Sequence, residues 1–257
     1  MTVEESILSA MEGNDINLVK HLPYILQDFW EIGSSPEQMV KAIQKHKTDY
    51  ANLEVLDLGS GKGAVSIKIA AELKCKCFGI DAIEDFVNFS NAKARELAVS
   101  DICVFETNDV RTRLGTLGKY DIIILGAIGP VFGDYYSTMS QLSPHLKKGG
   151  FIISDDAYIE DGRCTDYPNV ICKSDLLEQI NRAGMEIIDE ITVNEIPDQH
   201  ECYESEYKNI EKRCMELAEK YPESKNMFLE YMNTQETLYD KLSNEVTPVM
   251  LVIRQRG

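Results

Sequence analysis

The sequence predicts an α/β fold in which a mostly parallel sheet is covered by helices on both faces, and three observations carry that. Between residues 53 and 154, short, nearly continuous apolar runs alternate with stretches of helical period, the pattern of strands buried on both sides. The first of these runs passes into D-L-G-S-G-K-G, Asp57 to Gly63, a strand, a tight turn and a helix start. The chain also has 257 residues, 44% of them hydrophobic, enough to bury a full core as one large domain.

The first fifty residues read as a helical extension, residues 1–50, ahead of a domain over 51–257. Helices are expected over Glu4 to Met11, Ile16 to Leu22 and Pro23 to Ile32, the last ending at Gly33. Ser35-Pro36-Glu37-Gln38 then supplies an N-cap, a proline at the first helical position and a capping-box glutamine for a helix to about Lys47. Tyr24, Phe29 and Trp30 give this extension an aromatic face, which either docks it or roofs a ligand pocket.

Strand and helix alternate from Leu53 on. Strands are expected at Leu53 to Leu58, Cys75 to Ile80, Ile102 to Phe105, Tyr120 to Leu125 and Phe151 to Ser154. Helices fall between them at Lys62 to Leu73, Ile83 to Leu97 and Tyr135 to Leu146. A helix over Ser174 to Ala183 and a strand over Met185 to Val193 follow. Two helical series then recur at intervals of three and four, Tyr207, Ile210, Cys214, Leu217 and Tyr221, and Phe228, Tyr231, Leu238 and Leu242, with Pro222 between them. They read as a hairpin inserted at about 200–245, ahead of a last strand from Val249 to Arg254. Its charged face, Glu204, Glu206, Glu211, Glu216 and Glu219, is expected to be solvated.

Charge narrows the partners. With 26 basic and 43 acidic residues the net charge is −17, and the basic clusters are as short as Lys147-Lys148 and Lys212-Arg213, so no nucleic-acid partner is expected. No apolar run approaches the ~20 residues a membrane span needs. Seven scattered cysteines, none spaced C-x-x-C, and two glutamates in Met1 to Ala10 in place of a basic, apolar leader suggest a reduced, cytoplasmic compartment. Cys75, Cys77 and Cys103 read as core residues, while Cys164, Cys172, Cys202 and Cys214 have no geometry fixed by the sequence. His21, His46, His145 and His200 form no constellation.

The glycine turn satisfies a dinucleotide fingerprint by its letters, but its acidic surroundings point elsewhere. Asp57 would repel a pyrophosphate, whereas it could meet a cationic amino acid moiety. Asp81, at the end of the second strand, is placed for two ribose hydroxyls, and Asp109, after the third, for an adenine amino group. Three carboxylates without a nearby arginine suit a ligand that carries positive charge.

On these residues the chain resembles class I S-adenosylmethionine-dependent methyltransferases from about Asn52 through Arg254. The resemblance implies a Rossmann-like seven-stranded sheet ordered 3-2-1-4-5-7-6 with the last strand antiparallel. It implies cofactor contacts from Asp57, Gly59, Ser60, Gly61, Gly63, Asp81, Ala82, Asp109, Val110 and Gly126. The activity it implies is methyl transfer from S-adenosyl-L-methionine by in-line displacement.

The acceptor is expected beyond the ends of the fourth and fifth strands, with Asp155, Asp156, Tyr158 and Trp30 as candidate contacts and Tyr135 and Tyr136 nearby. The acidic pair could hold an ammonium group, act as a base or bind a metal. Catechol-type relatives need a further aspartate where this chain has Gly126, so no metal is expected. The helical extension and hairpin would close the pocket over a small molecule, the hairpin serving as lid or homodimer surface. The alternatives are an NAD-dependent oxidoreductase, a non-enzymatic S-adenosylmethionine-binding regulator and a cysteine-using methyltransferase acting on a thiophile such as arsenite.

Overall fold

The computed structural model describes residues 1–167, 169–192 and 199–257, and of 199–202 the backbone alone. Val193, expected at the end of the sixth strand, and the side chains of His200 and Cys202 lie outside the described residues. Contacts divide the chain into two compact units, one of Met1–Phe29, Ala157–Ser174 and Thr192–Val249, the other of Trp30–Asp156, Asp175–Ile191 and Met250–Gly257. The expected helical extension is thus shared between them, parting at Phe29 and Trp30.

The seven strands are β1 (Glu54–Leu58), β2 (Lys76–Asp81), β3 (Cys103–Thr107), β4 (Tyr120–Gly126), β5 (Leu146–Tyr158), β6 (Met185–Thr192) and β7 (Thr247–Gln255). They form one sheet in the order β3-β2-β1-β4-β5-β7-β6, the expected topology. From β3 to β5 every neighbour pairs parallel. Ile122, Ile123 and Ile124 are all fully buried, because helices cover both faces of this central strand. Parallel register brings the strand ends to one edge: Leu58 pairs with Ile80 and Leu125, Asp81 with Thr107, and Gly126 with Asp155. At the start of β4, Asp121 accepts the Glu54 amide at 2.9 Å and the Lys147 ammonium at 2.8 Å, which ties β1, β4 and β5 together.

In the same unit, α3 (Pro36–His46) starts as expected, with Ser35 Oγ accepting the Gln38 amide at 3.4 Å. The helix after the glycine turn, α4 (Ala64–Leu73), starts later than expected, because Gly63 sits at φ +74° and cannot belong to a right-handed helix. α5 (Glu84–Glu96) and α6 (Val110–Arg113) follow β2 and β3, and α7 (Tyr135–Leu142) precedes β5. β5 runs beyond the apolar segment Phe151 to Ser154, because Asp155 and Asp156 remain extended. α8 (Lys173–Arg182) then leads into β6.

The other unit holds α1 (Val3–Ala10), a 3₁₀ turn over Ile16–His21 and α2 (Leu22–Ile25). The helix expected from Pro23 to Ile32 stops at Ile25: single turns follow, and Asp28 is drawn aside by the Arg213 guanidinium at 2.6 and 2.7 Å. α9 (Gln199–Lys220) and α10 (Lys225–Asn244) form the expected hairpin about Pro222, burying Ile210, Cys214 and Leu217 with Phe228, Tyr231 and Leu238. Its acidic face is not simply solvated. Glu216 accepts from Tyr24 Oη at 2.7 Å and from Arg213 at 2.8 Å, and Glu206 accepts from Tyr239 Oη at 2.9 Å.

Candidate functional site

The glycine turn is a backbone structure. Gly59, Gly61 and Gly63 have φ of +72°, +51° and +74°, a region L side chains seldom enter. The amides of Gly59 and Ser60 both donate to the Ile80 carbonyl, at 2.8 and 3.0 Å, folding the turn back over the end of β2. A Cβ on Gly59 would stand 2.3 Å from Ile128 Cγ2, and one on Gly79, beneath the turn, 2.4 Å from the Phe105 ring. The Ser60 hydroxyl is buried with no hydrogen-bond partner among the described residues.

Two carboxyls back the turn. Asp81 Oδ2 accepts the Gly61 amide and Oδ1 the Ile83 amide, each at 2.8 Å, so this side chain shapes the cradle. Burial raises its pKa, against the pull of those amides and that of Ala82. Asp57 is buried on β1 and accepts from Ser66 Oγ at 2.7 Å. Burial pushes it up to about 6, Ser66 opposes this, and the charge of Asp81 adds to it. Trp30 Nε1 donates to the Lys62 carbonyl at 3.2 Å and its ring lies under the Lys93 ammonium, fixing the indole to the turn.

The donor set fits an adenosyl sulfonium amino acid. The glycines expose bare backbone, the Ser60 hydroxyl lacks a partner, and the two buried carboxyls would welcome positive charge where a pyrophosphate would be repelled.

Asp109 corrects one expectation. The third carboxylate does have an arginine beside it: Arg111 donates to it through Nε and Nη2, at 3.0 and 2.8 Å, and its amide bonds to the same carboxyl at 2.9 Å. Those bonds hold Asp109 below the usual carboxylate range and make it the N-cap of α6, with Val110 buried behind it.

The ends of β4 and β5 carry a different set. Gly126 lies opposite Asp155, and a Cβ on Gly126 would stand 2.9 Å from Ser34 Oγ. Ala127, at φ +53°, donates its amide to the Asp155 carbonyl at 3.1 Å. Burial pushes the Asp155 carboxyl up to about 7, the Ser34 hydroxyl draws it back, and Asp156 raises it further. Tyr135 Oη donates to Asp156 Oδ2 at 2.6 Å, and burial together with that carboxylate pushes the phenol well above its ordinary range. Tyr136, on α7, is exposed under the Arg182 guanidinium. Tyr158 belongs to the other unit, where it is buried and accepts from Lys173 Nζ at 3.0 Å.

Sequence reasoning missed Ser66 and Ser34, and placed Ile128 only within the segment Gly126 to Phe132 expected beside the acceptor. Ser66 had a signal, a small polar residue on an otherwise apolar helix face behind Asp57. Ser34 had none, since it reaches the end of β4 through tertiary folding alone.

A family model described as a methyltransferase domain matches residues 49–251. Among solved structures, the chain is similar to a SAM-dependent methyltransferase from Geobacter sulfurreducens in complex with S-adenosyl-L-homocysteine. That likeness has a TM-score of 0.74 and 18% identity, covering 92% of this chain and 98% of that one. A SAM-dependent methyltransferase from Thiobacillus denitrificans, in complex with the same molecule, gives 0.74 and 17%, over 91% and 98%. A curated relative, the release factor glutamine methyltransferase of Buchnera aphidicola subsp. Baizongia pistaciae, is 30% identical over 67 residues, 26% of this chain. The chain spans 24% of that relative's length.

Proposed function

The chain belongs to this methyltransferase-domain family, and from that premise we propose that it transfers a methyl group from S-adenosyl-L-methionine to a small-molecule acceptor. One observation carries the cofactor: a glycine cradle backed by two buried carboxyls, Asp57 and Asp81, each with its pKa raised by burial. Bound there, the cofactor supplies a methyl group on a sulfonium, whose loss leaves a neutral thioether.

The bare backbone of the glycines, with the Ser60 hydroxyl, Asp81 and Ala82, would hold the nucleoside, and Asp57 would favour the cationic amino acid end. Asp109 and Val110 would border the adenine, Asp109 with its Arg111 partner attached. Gly126 would let the acceptor approach between the cradle and Asp155. The chain's part in the reaction is alignment, which can supply up to roughly 7 to 11 kcal/mol in ideal cases.

A small acceptor is favoured over nucleic acid by the net charge of −17. Among the described residues no helix is long and apolar enough to cross a membrane. We place the protein in the cytoplasm on its thiols: the six described cysteines are free, including Cys77 and Cys103, paired in register on neighbouring strands. Transfer of labelled methyl from S-adenosyl-L-methionine to a pooled set of small amines, alcohols and acids tests the reading. Labelled product is expected. Binding of NADH in place of the methyl donor would favour the oxidoreductase alternative.

A further inference from the structure

The end of β5 carries chemistry that methyl transfer does not by itself require. Asp155 lies in register with Gly126, the glycine that ends β4. Ser34 closes on the same point from the segment ahead of α3, and Tyr135 reaches from α7 to bond the neighbouring Asp156. Two segments far apart in sequence, those of Ser34 and Tyr135, therefore converge on two adjacent carboxyls. On the foregoing methyltransferase reading, which this inference extends, we propose that Asp155 receives the proton of an ammonium acceptor, and that the protein is an amine methyltransferase.

The charges select the acceptor class. A carboxylate acceptor would be repelled by the pair. A phenol ionises near an amine's range, about 10, but would develop negative charge against Asp156. An ammonium group arrives positive and becomes neutral, so both its binding and its deprotonation suit this corner. The groups acting on Asp155 are its burial, the Ser34 hydroxyl and the Asp156 charge, and together they set it at about 7, where it can both take and return a proton near neutrality. Tyr135 is a positioning residue, keeping Asp156 engaged.

The steps balance. The ammonium N–H bond breaks and the proton goes to the Asp155 carboxylate, leaving a neutral amine with a free lone pair. That pair forms the N–C bond as the C–S bond breaks, and the C–S electron pair stays on sulfur. The methylated product leaves as a cation, and Asp155 releases its proton to water before the next cycle.

The test uses the whole protein with S-adenosyl-L-homocysteine, titrated calorimetrically with butylamine and benzylamine, with 1-butanol and benzyl alcohol, and with butyrate and benzoate. At least one amine is expected to bind at least tenfold tighter than its alcohol, and the acids weakest. Asp155→Asn should abolish that preference while changing S-adenosyl-L-homocysteine affinity less than threefold. The Ser34 hydroxyl is buried with no hydrogen-bond partner among the described residues and draws the Asp155 carboxyl down, so Ser34→Ala should move the pH midpoint of amine binding upward, a shift that a packing role would not produce. Amines binding no tighter than alcohols, or an amine preference surviving Asp155→Asn, would overturn the assignment. Failure of the wild type to bind S-adenosyl-L-homocysteine would instead strike the methyltransferase reading beneath it.

Discussion

The two ends of the carboxyl edge of the sheet are built on opposite principles. At β1 and β2 the site is made of backbone: three glycines at positive φ, two amides folded onto the Ile80 carbonyl, and Asp81 accepting the amides of its own neighbourhood. At β4 and β5 it is made of side chains, Ser34, Tyr135, Asp155 and Asp156, brought from three segments. Gly59 and Gly63 tolerate almost no substitution, because a Cβ on either would stand within 3 Å of a neighbour. Side-chain geometry can change its chemistry without unfolding the turn.

The sharpest break in that comparison comes from paired glycine substitutions. Gly59→Val forces a side chain into φ +72° and onto Ile128, and should lower S-adenosyl-L-methionine affinity at least about 100-fold and cost roughly 1–3 kcal/mol of stability. Gly126→Ala meets Ser34 Oγ at 2.9 Å without a φ penalty, so cofactor affinity should hold within about fivefold while turnover falls about tenfold. Calorimetry and a methyl-transfer assay read the two effects separately, and equal loss of cofactor binding in both variants would erase the distinction.

Asp81→Asn should come next, weakening cofactor binding by roughly 10- to 100-fold, because each buried amide bond to a charged acceptor contributes about 1.5–3 kcal/mol. The same exchange at Asp155 should leave cofactor binding nearly unchanged.

Titration separates the two regions as well. Asp57 rises from 3.8 to about 6 on folding, so the stability linked to its proton is fully present below about pH 4 and is lost as pH rises through 6. At about 1.4 kcal/mol per unit, that is at most ~3 kcal/mol. Asp155 extends the decline to about pH 7. Urea unfolding of the ligand-free protein should show this fall, and Asp57→Asn should flatten its lower part. Cationic S-adenosyl-L-methionine should oppose the fall more than an uncharged adenosine does. A curve that rises across this window would contradict the buried-carboxyl account.

The smallest effect is expected at Asp109. Its pair with Arg111 is part-exposed, and Arg111→Ala should cost about 0.5 kcal/mol or less and change cofactor affinity less than about threefold. A larger loss in binding would mean that the guanidinium itself contacts the ligand.

How much of this was readable beforehand follows the same division. The turn was legible because its glycines and Asp57 lie within seven residues, and the fourth strand because Ile122 to Leu125 is an unbroken apolar run. The hairpin was legible from its period, down to the burial of Cys214 and Tyr231. Long-range polar ties were not. Nothing near Asp28 announces its pairing with Arg213, and nothing near Ser34 announces Asp155. Arg111 is the exception, since its closeness to Asp109 was visible and the expectation that no arginine stood near was wrong on the sequence itself. Local pattern specifies backbone, and the partner of a buried charge is specified by the fold.

The most direct test of the central claim is isothermal titration of the protein with S-adenosyl-L-methionine, S-adenosyl-L-homocysteine and NADH, repeated on Asp81→Ala. The account predicts that both sulfur nucleosides bind, that NADH does not, and that Asp81→Ala weakens both at least about tenfold. Binding of NADH alone, or nucleoside affinity unchanged in Asp81→Ala, would contradict it.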